Sequence, residues 1–240
     1  MGEWADHSPT ARHLHLAEPC GQDQHESPLG RWRENVPVRV IAAGRASEIV
    51  ELGSGRVLRR FKAGGQPERE AVIMEYARAH GFPVPRVLEV RDDALVLERV
   101  DGPTMLADLR SRPWQAGRAA RMLAQLHADL HKIPFEGARL LHLDLHPDNV
   151  LLSREGPVVI DWTNARAGEP AVDVALTWVI GATSGGWAGR AFTQLFLRHV
   201  DRRAARRALP QAAAFRLADP NVTDAERARV RRLLRAFSQA

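Results

Sequence analysis

The sequence predicts an α+β fold of two lobes, in which a small β-rich lobe precedes a larger, mainly helical one. Short β-rich runs fill residues 37–62, two more follow a helix before residue 100, and helical periodicity dominates from residue 104 onward. With 240 residues, 45% of them hydrophobic, the chain is long enough to bury a sizeable core. The expected parts are a flexible leader at 1–35, an N-terminal lobe at 36–100 and a C-terminal lobe at 101–240.

Composition excludes several classes of protein. A single cysteine, Cys20, rules out an intrachain disulfide and a four-cysteine zinc site. No apolar run reaches the roughly 18 residues that a membrane span needs, and the N-terminus lacks a secretory signal, so we expect a cytoplasmic protein without a membrane partner. The net charge is +5, and arginines cluster at 202–210 and 226–235. Because few aromatic residues lie among these arginines, we expect solvated helix faces, and nucleic acid is an unlikely partner.

In the N-terminal lobe, the strands and the helix follow from separate signals. The runs VPVRVIAAG, SEIVEL and GRVLRRF alternate with turn residues and predict an antiparallel meander. The segment PEREAVIMEYARAHG carries apolar residues at helical spacing, and Gly81 lies where a C-capping glycine belongs. The runs RVLEV and ALVLERV then predict two further strands. The lobe is therefore expected to be a sheet with one helix.

In the C-terminal lobe, the segment GRAARMLAQLHADLHKI predicts a long core helix, because Leu123, Leu126 and Leu130 fall on one stripe. The short apolar runs NVLL and VVI predict a hairpin, and AVDVALTWVIGA predicts a buried helix. Further helices should follow, with interruptions near Pro210 and Pro220.

The polar stretch between these elements suggests chemistry. Asp144, Asn149 and Asp161 lie in about twenty residues, and the last two are placed at the ends of apolar strands. A carboxylate at the end of a buried strand is costly unless a cation or hydrogen-bond donors meet it. A divalent metal would satisfy Asn149 and Asp161 together, since hard cations prefer oxygen ligands. Asp144 would then remain free to act as a base.

Two other arrangements of metal ligands are open on the sequence alone. On an extended strand, His142, Asp144 and His146 would share one face and could bind zinc, as in a metallohydrolase. His127 and His131 have the i, i+4 spacing that can suit a metal, although structural histidines are the expected reading. Three acids are also expected near the predicted cleft, where they would favour a cationic substrate: Asp148, Glu169 and Asp173.

The offsets of His142, Asp144 and Asn149 match the protein-kinase catalytic loop H-x-D-x-x-x-x-N. With Trp162 after the presumed metal aspartate and a His-Pro pair inside the loop, the stretch resembles the aminoglycoside phosphotransferase and choline kinase family. The segments REAVIMEYARAHGFPVPRVLEV, LERVDGPTM and EPAVDVALTW are similar to that family's N-lobe helix and strand, interlobe hinge and later helix.

This resemblance implies a protein-kinase-like bilobal fold that binds ATP or GTP with Mg²⁺ between its lobes. Asp144 would be the catalytic base that acts on a hydroxyl of a small molecule such as an aminoglycoside or amino alcohol, and Asn149 and Asp161 would hold Mg²⁺. The implied nucleotide-binding residues are Arg59, Glu70 as the ion-pair glutamate, and the hinge backbone at Glu98 and Val100. The implied supporting residues are His142, His146 and Asp173, the last as a brace for the loop backbone.

The sequence departs from this family in two places. An arginine, Arg59 or Arg60, stands where a phosphate-contacting lysine is expected, and the first hairpin has only Gly44 in place of a glycine-rich loop. A catalytically weak or inactive nucleotide-binding module is therefore the alternative to an active phosphotransferase.

Overall fold

The computed structural model describes residues 39–44, 47–62 and 65–238. These residues belong to one compact unit. The predicted leader at 1–35 lies outside the described residues, and the predicted lobe boundary at 100/101 stays a prediction. In the described part of the chain, no helix has the length and apolarity that a membrane span requires.

A five-stranded antiparallel sheet with the order β1-β2-β3-β5-β4 opens the fold. The turn between β2 and β3 is short and places Gly53 and Gly55 at φ values of 74° and 69°, which glycine adopts without strain. All five predicted strands are present. The strands are β1 (Arg39–Ala43), β2 (Ser47–Gly53), β3 (Arg56–Phe61), β4 (Val87–Arg91) and β5 (Ala94–Glu98).

One helix, α1 (Pro67–Ala79), packs on this sheet. Proline at its first turn and Glu68 and Glu70 beside it suit a helix N-terminus, because proline lacks a donor there and acidic groups complement the helix dipole. Gly81, just past the end, has a φ of 79°, as a C-terminal glycine should. The apolar residues that were predicted at helical spacing in α1 are buried. Glu70 is buried with them, so the packing of α1 fixes the position of this side chain.

The rest of the chain is mainly helical, which completes the predicted α+β fold. Its helices are α2 (Met105–Ser111), α3 (Ala116–Leu130), α4 (Pro170–Ser184), α5 (Gly186–Phe196), α6 (Arg202–Ala218) and α7 (Asp224–Ser238). Its strands are β6 (Pro134–Phe135), β7 (Ala138–Leu141), β8 (Val150–Leu152), β9 (Pro157–Val159) and β10 (Arg166–Gly168). The predicted interruption at Pro210 is wrong, because this proline lies inside α6.

The core beneath the site centres on Trp162, which is completely buried. Its ring meets Phe82 edge-on at 5.7 Å and His142 edge-on at 4.9 Å between centroids, and its indole N–H donates to the Val159 carbonyl at 3.0 Å. The backbone N–H of Val159 donates in turn to the Pro83 carbonyl at 2.8 Å. These contacts join the segment after α1 to the β8–β9 hairpin, so the two halves of the site are packed on one core.

Gly102 links the sheet to the helical part and leaves no room for a side chain. Its φ is 152°, and a Cβ placed there would lie 2.2 Å from the carbonyl oxygen of Leu152. We expect Gly102→Ala to lower the free energy of unfolding by about 1–3 kcal/mol, because both backbone strain and overlap must be relieved.

Gly117 is the matched control for this substitution. It lies in α3 with no atom near its missing Cβ, so Gly117→Ala should raise the free energy of unfolding by up to about 1 kcal/mol. Urea denaturation of both variants measures the two effects. Equal responses would contradict the assigned role of Gly102.

Candidate active site

The segment after β7 brings two of the predicted site residues into direct contact. Asn149 ends a single 3₁₀ turn, Pro147–Asn149, and its side chain is buried. Its Nδ2 donates to the Asp144 backbone carbonyl at 2.9 Å and to Asp144 Oδ2 at 3.1 Å. Asp144 itself is only partly buried, with 22% of its side chain exposed. The loop therefore fixes Asp144 from one side and leaves the carboxylate accessible from the other.

Asp161 lies beside Asn149 because of the β8–β9 pairing. Val150 pairs with Val159, and the Ile160 N–H donates to the Asn149 carbonyl at 3.0 Å. The two predicted metal ligands therefore flank the same end of one hairpin. Asp161 adopts a φ of 65°, an unusual conformation that aspartate tolerates better than most residues.

The oxygen atoms at this end of the hairpin fit a magnesium ion. The amide nitrogen of Asn149 donates to Asp144, whereas the amide oxygen, Oδ1, accepts no hydrogen bond from the residues that the structure describes. Oδ1 of Asp161 accepts hydrogen bonds from Arg59 and Thr163. None of the described side chains or N–H groups donates to Oδ2 of this carboxylate. Two oxygen ligands with free lone pairs are the type of site that Mg²⁺ occupies together with waters and phosphate oxygens.

Arg59, rather than Arg60, takes the position expected for the missing lysine. Arg59 is 4% exposed, and its guanidinium bridges Glu70 and Asp161, with 2.5 Å between Nη2 and Asp161 Oδ1. Arg60 points outward to Glu48, and Lys62 lies past the strand with its Nζ on the Gly44 carbonyl. The arginine thus connects α1 to the metal-ligand candidate.

Burial by itself disfavours the charged form of Asp161. The charge and hydrogen bond of Arg59 outweigh this effect, so the pKa of Asp161 lies below its ordinary value. The group is therefore a carboxylate at neutral pH, as a metal ligand must be.

A change of Arg59 to lysine should reveal how much the bridge contributes. Lysine cannot span Glu70 and Asp161 with a planar fork, so one buried carboxylate loses its partner. We expect Arg59→Lys to lower the free energy of unfolding by about 1–3 kcal/mol. Arg60→Lys, on an exposed pair, should change it by less than about 0.5 kcal/mol. Urea denaturation of the two variants makes the comparison, and a smaller effect at position 59 than at 60 would count against the bridge.

Asp173 holds the backbone of the loop that carries Asp144. This aspartate of α4 is fully buried, and its Oδ2 and Oδ1 accept the N–H groups of His142 at 3.0 Å and Leu143 at 2.8 Å. Leu143 has a φ of 58°, a strained conformation for a branched side chain. The carboxylate holds this strained residue directly before Asp144.

The same burial corrects one expectation about the cleft. Asp173 cannot attract a cationic substrate, because it is inaccessible and committed to backbone donors. The other two acids, Asp148 and Glu169, are both exposed, as a carboxylate that attracts a cationic substrate must be. Asp148 accepts a hydrogen bond from the Thr104 hydroxyl at 2.9 Å.

The two loop histidines have different surroundings. His142 is buried, and its Nε2 donates to the Ile160 carbonyl at 3.1 Å, which ties the loop to the strand before Asp161. His146 accepts the Asp148 N–H on Nδ1 at 3.3 Å and places Nε2 3.5 Å from Asp144 Oδ1. Burial opposes the protonated form of His146, but the nearby Asp144 carboxylate outweighs it and raises the pKa of the imidazole.

The alternative zinc set of His142, Asp144 and His146 is wrong. Among the residues that the structure describes, these three do not form a group of converging ligand atoms. The reason is that the His142 ring turns inward under Trp162, where its Nε2 is already bonded, while Asp144 and His146 face the opposite side of the loop.

The predicted hinge follows β5. The Glu98 N–H donates to the Arg86 carbonyl at 3.0 Å, and the Arg99 N–H donates to the Gly55 carbonyl at 2.8 Å. The N–H of Val100 makes no backbone hydrogen bond within the described chain. Val100 therefore offers the free donor that a nucleotide base edge needs.

Sequence reasoning missed two hydroxyl groups in this network. Thr163 Oγ1 lies 3.0 Å from Glu70 Oε2 and accepts Arg59 Nη2 at 2.9 Å, and Ser47 Oγ accepts Arg59 Nε at 3.2 Å. The available signal was the position of Thr163 two residues after Asp161, a spacing at which hydroxyl and carboxylate groups commonly share hydrogen bonds.

Two family models match the chain. The phosphotransferase enzyme family matches residues 136–215, which run from before β7 to within α6. The RIO domain matches residues 58–170, which run from β3 to the start of α4. Both matches therefore include Asp144, Asn149 and Asp161.

Similar proteins point in the same direction. A relative from Archaeoglobus fulgidus, named a probable serine/threonine-protein kinase BUD32 homolog, is 33% identical over 129 residues, 54% of this chain and 57% of the relative. The match thus spans little more than half of that relative's length.

Two solved structures show the fold. One is a choline/ethanolamine kinase family protein from Mesorhizobium loti, with a TM-score of 0.61, 18% identity and coverage of 89% of this chain and 94% of that chain. The other is the streptomycin–ATP complex of APH(2″)-IIa, with a TM-score of 0.57, 14% identity and coverage of 78% and 86%. These matches confirm the predicted resemblance, and the chain has the two-lobed α+β, kinase-like fold of the two solved structures.

Proposed function

We propose that this chain transfers the γ-phosphoryl group of ATP or GTP to a hydroxyl of a small molecule. The observation that carries the proposal is that Asp144, Asn149 and Asp161 lie at one end of the β8–β9 hairpin, where Arg59 contacts Asp161. Phosphoryl transfer needs little covalent help from the protein, so positioning and charge neutralisation by such groups can supply most of the rate.

Each residue has a distinct task in this proposal. Asp144 orients the acceptor hydroxyl and takes its proton, since its carboxylate is held by Asn149 and remains accessible. Asn149 and Asp161 hold Mg²⁺ through oxygen atoms, and Mg²⁺ supplies charge neutralisation at the phosphate oxygens when it is bound. Arg59 offsets the charge of Asp161, and the Val100 N–H binds the base of the nucleotide.

The acceptor we propose is an amino alcohol or an amino sugar. Support comes from the names of the structural neighbours, a choline/ethanolamine kinase family protein and an aminoglycoside-bound phosphotransferase, and from the exposed acids Asp148 and Glu169. A protein hydroxyl is the second candidate, because the curated relative is named a serine/threonine-protein kinase. A cytoplasmic location, where nucleoside triphosphates are abundant, is part of the same proposal.

A weak or inactive nucleotide-binding module is the alternative within the same fold. Arginine stands at the lysine position and already engages Asp161, so nucleotide binding without efficient transfer would also suit this geometry.

Nucleotide turnover in the presence of each acceptor class tests these candidates. ADP or GDP release should require Mg²⁺ and should rise with amino alcohols or aminoglycosides, but not with an added unfolded protein substrate. Stimulation by the protein substrate alone would favour the second candidate. Nucleotide-induced stabilisation without turnover against every acceptor would favour the inactive module.

The metal assignment has its own readout. We expect Mg²⁺ with ADP to raise the melting temperature of the unsubstituted chain, and to raise that of Asp161→Asn much less relative to its own starting value. The exposed Asp92→Asn in the β4–β5 turn should respond like the unsubstituted chain. An undiminished shift in Asp161→Asn would exclude Asp161 as a ligand.

A further inference from the structure

A second group of polar side chains lies behind the catalytic loop, separate from the magnesium ligands. His127 and His131 occupy successive turns of α3 and face Asp173 of α4. His131 Nε2 lies 3.0 Å from Asp173 Oδ2, and His127 Nδ1 lies 3.7 Å from the same oxygen. His127 and Asp173 are 1% and 0% exposed, respectively.

The tautomer of His127 follows from its other contact. His127 Nε2 lies 3.0 Å from Thr177 Oγ1, and that hydroxyl donates its single proton to the Leu145 carbonyl at 2.7 Å. The hydroxyl must therefore accept from the imidazole, so the proton of His127 is on Nε2. Nδ1 carries a lone pair, and it is directed at the Asp173 carboxylate.

In this arrangement two hydrogen-bond acceptors, His127 Nδ1 and Asp173 Oδ2, face each other in the protein interior. Nδ1 of His127 is buried and has no hydrogen-bond partner among the residues that the structure describes. Burial lowers the pKa of His127 to about 4, with the Asp173 charge only partly opposing it, so a proton does not resolve the contact at neutral pH. An unpaired buried polar atom is costly, and a cation between the two groups would satisfy both.

The spacing of the three ligand atoms suits a small transition-metal ion. The ligand atoms of His127, His131 and Asp173 all lie within 4.8 Å of one another. A tetrahedral ion with bonds of about 2.1 Å has ligand atoms about 3.4 Å apart. The two separations that involve Asp173 Oδ2, 3.0 Å to His131 Nε2 and 3.7 Å to His127 Nδ1, bracket that value. Two imidazoles and one carboxylate form a ligand set that zinc commonly takes, with water as the fourth ligand.

We propose that His127, His131 and Asp173 bind one zinc ion. The side chain of His131 is 10% exposed, which gives the ion an entry route and a position for water. Asp173 Oδ2 accepts the His142 N–H with one lone pair and His131 Nε2–H with the other, so zinc would take the place of the His131 proton on Nε2. Because the same carboxylate holds the loop backbone, zinc ties α3 and α4 to the segment that carries Asp144.

Zinc uptake by the full chain tests this proposal. The leader histidines are first removed as competing ligands by replacing His7, His13, His15 and His25 with glutamine. After treatment with a chelator and dialysis against zinc, this chain should retain one zinc per molecule by elemental analysis, and zinc should raise its melting temperature. His131→Gln in the same background keeps a side chain that can donate to Asp173 but is a poor zinc ligand. It should bind zinc at least about tenfold more weakly.

The control is His199→Gln, which removes an exposed histidine and should leave uptake unchanged. Cobalt(II) binding gives a second measurement that needs no variant, because a tetrahedral site with two imidazoles absorbs visible light far more strongly than hydrated cobalt. Failure to retain stoichiometric zinc, equal zinc affinity in His131→Gln, or a hydrated-type cobalt spectrum would each overturn the proposal.

Discussion

Asp144→Asn is expected to slow phosphoryl transfer by a factor of about 10²–10⁴, the usual contribution of a positioned general base. Asparagine keeps the size of the side chain and retains an oxygen that can accept the Asn149 amide, which now bonds to Asp144 Oδ2 at 3.1 Å. The loop should therefore fold normally, while the group that takes the acceptor proton is lost. Rates of ADP or GDP formation at saturating nucleotide and acceptor give the measurement.

Nucleotide binding distinguishes a loss of chemistry from a loss of structure. The stabilisation by Mg²⁺ and ADP should be the same in Asp144→Asn as in the unsubstituted chain, because Asp144 is not proposed to hold the metal. Asp92→Asn, a change of the same kind on an exposed turn, should leave the rate unaltered. If Asp144→Asn turned over as fast as the unsubstituted chain, the assignment of Asp144 as the base would be untenable.

Asp173→Asn is expected to lower the free energy of unfolding by about 3–5 kcal/mol, as the loss of one partner in a buried charged network does. The amide has one acceptor oxygen where the carboxylate has two, so its NH₂ group would face a backbone donor, either His142 N–H or Leu143 N–H. The strained backbone of Leu143 would also lose its restraint. Urea denaturation, with chelator present so that zinc plays no part, measures the change.

Asp201→Asn is the matched control, since Asp201 also accepts two backbone N–H groups but is exposed. Its Oδ1 caps α6 by accepting the N–H groups of Arg203 and Ala204, both at 2.9 Å. Asparagine is itself a good N-cap, so this substitution should lower the free energy of unfolding far less than Asp173→Asn does. Comparable losses at 173 and 201 would mean that burial adds nothing to the brace at Asp173.

The sequence predicted those elements whose signals are local. Each strand from β1 to β5 was bounded by turn residues, and α1 and α3 carried apolar stripes at helical spacing, so their positions agree with the structure. The sequence did not predict α2, which has seven residues, or the pairing of β10 with β7, which joins Arg166 to Leu141 across a long stretch of chain. Short elements and distant pairings leave no periodic pattern.

Pro210 shows where tertiary packing overrides a local rule. A proline removes one hydrogen bond and normally ends a helix. In α6 the flanking residues Ala205, Leu209 and Ala212 are buried, so the helix continues through the proline. Propensity alone could not reveal this packing.

The candidate site was predictable in its chemistry but not in all its geometry. The spacing of Asp144, Asn149 and Asp161 was sufficient to group them, and the structure brings them to one hairpin end. The choice between Arg59 and Arg60 was not accessible, because β3 carries apolar side chains on both faces, so alternation in the sequence does not show which arginine points to α1. The inward turn of Asp173 likewise depends on α4 packing beneath the loop.

The bridge from Arg59 to Asp161 has a consequence for how the cleft is charged. On the proposed assignment, magnesium binds Oδ2 of a carboxylate whose Oδ1 already has Arg59 as its counter-ion, so the metal arrives beside a resident cation. The aspartate is therefore compensated before the nucleotide arrives as well as afterwards, and the fold does not depend on its substrate for electrical neutrality. Repulsion between the metal and the guanidinium offsets part of the attraction of the carboxylate for the metal, and the anionic phosphates would relieve that repulsion.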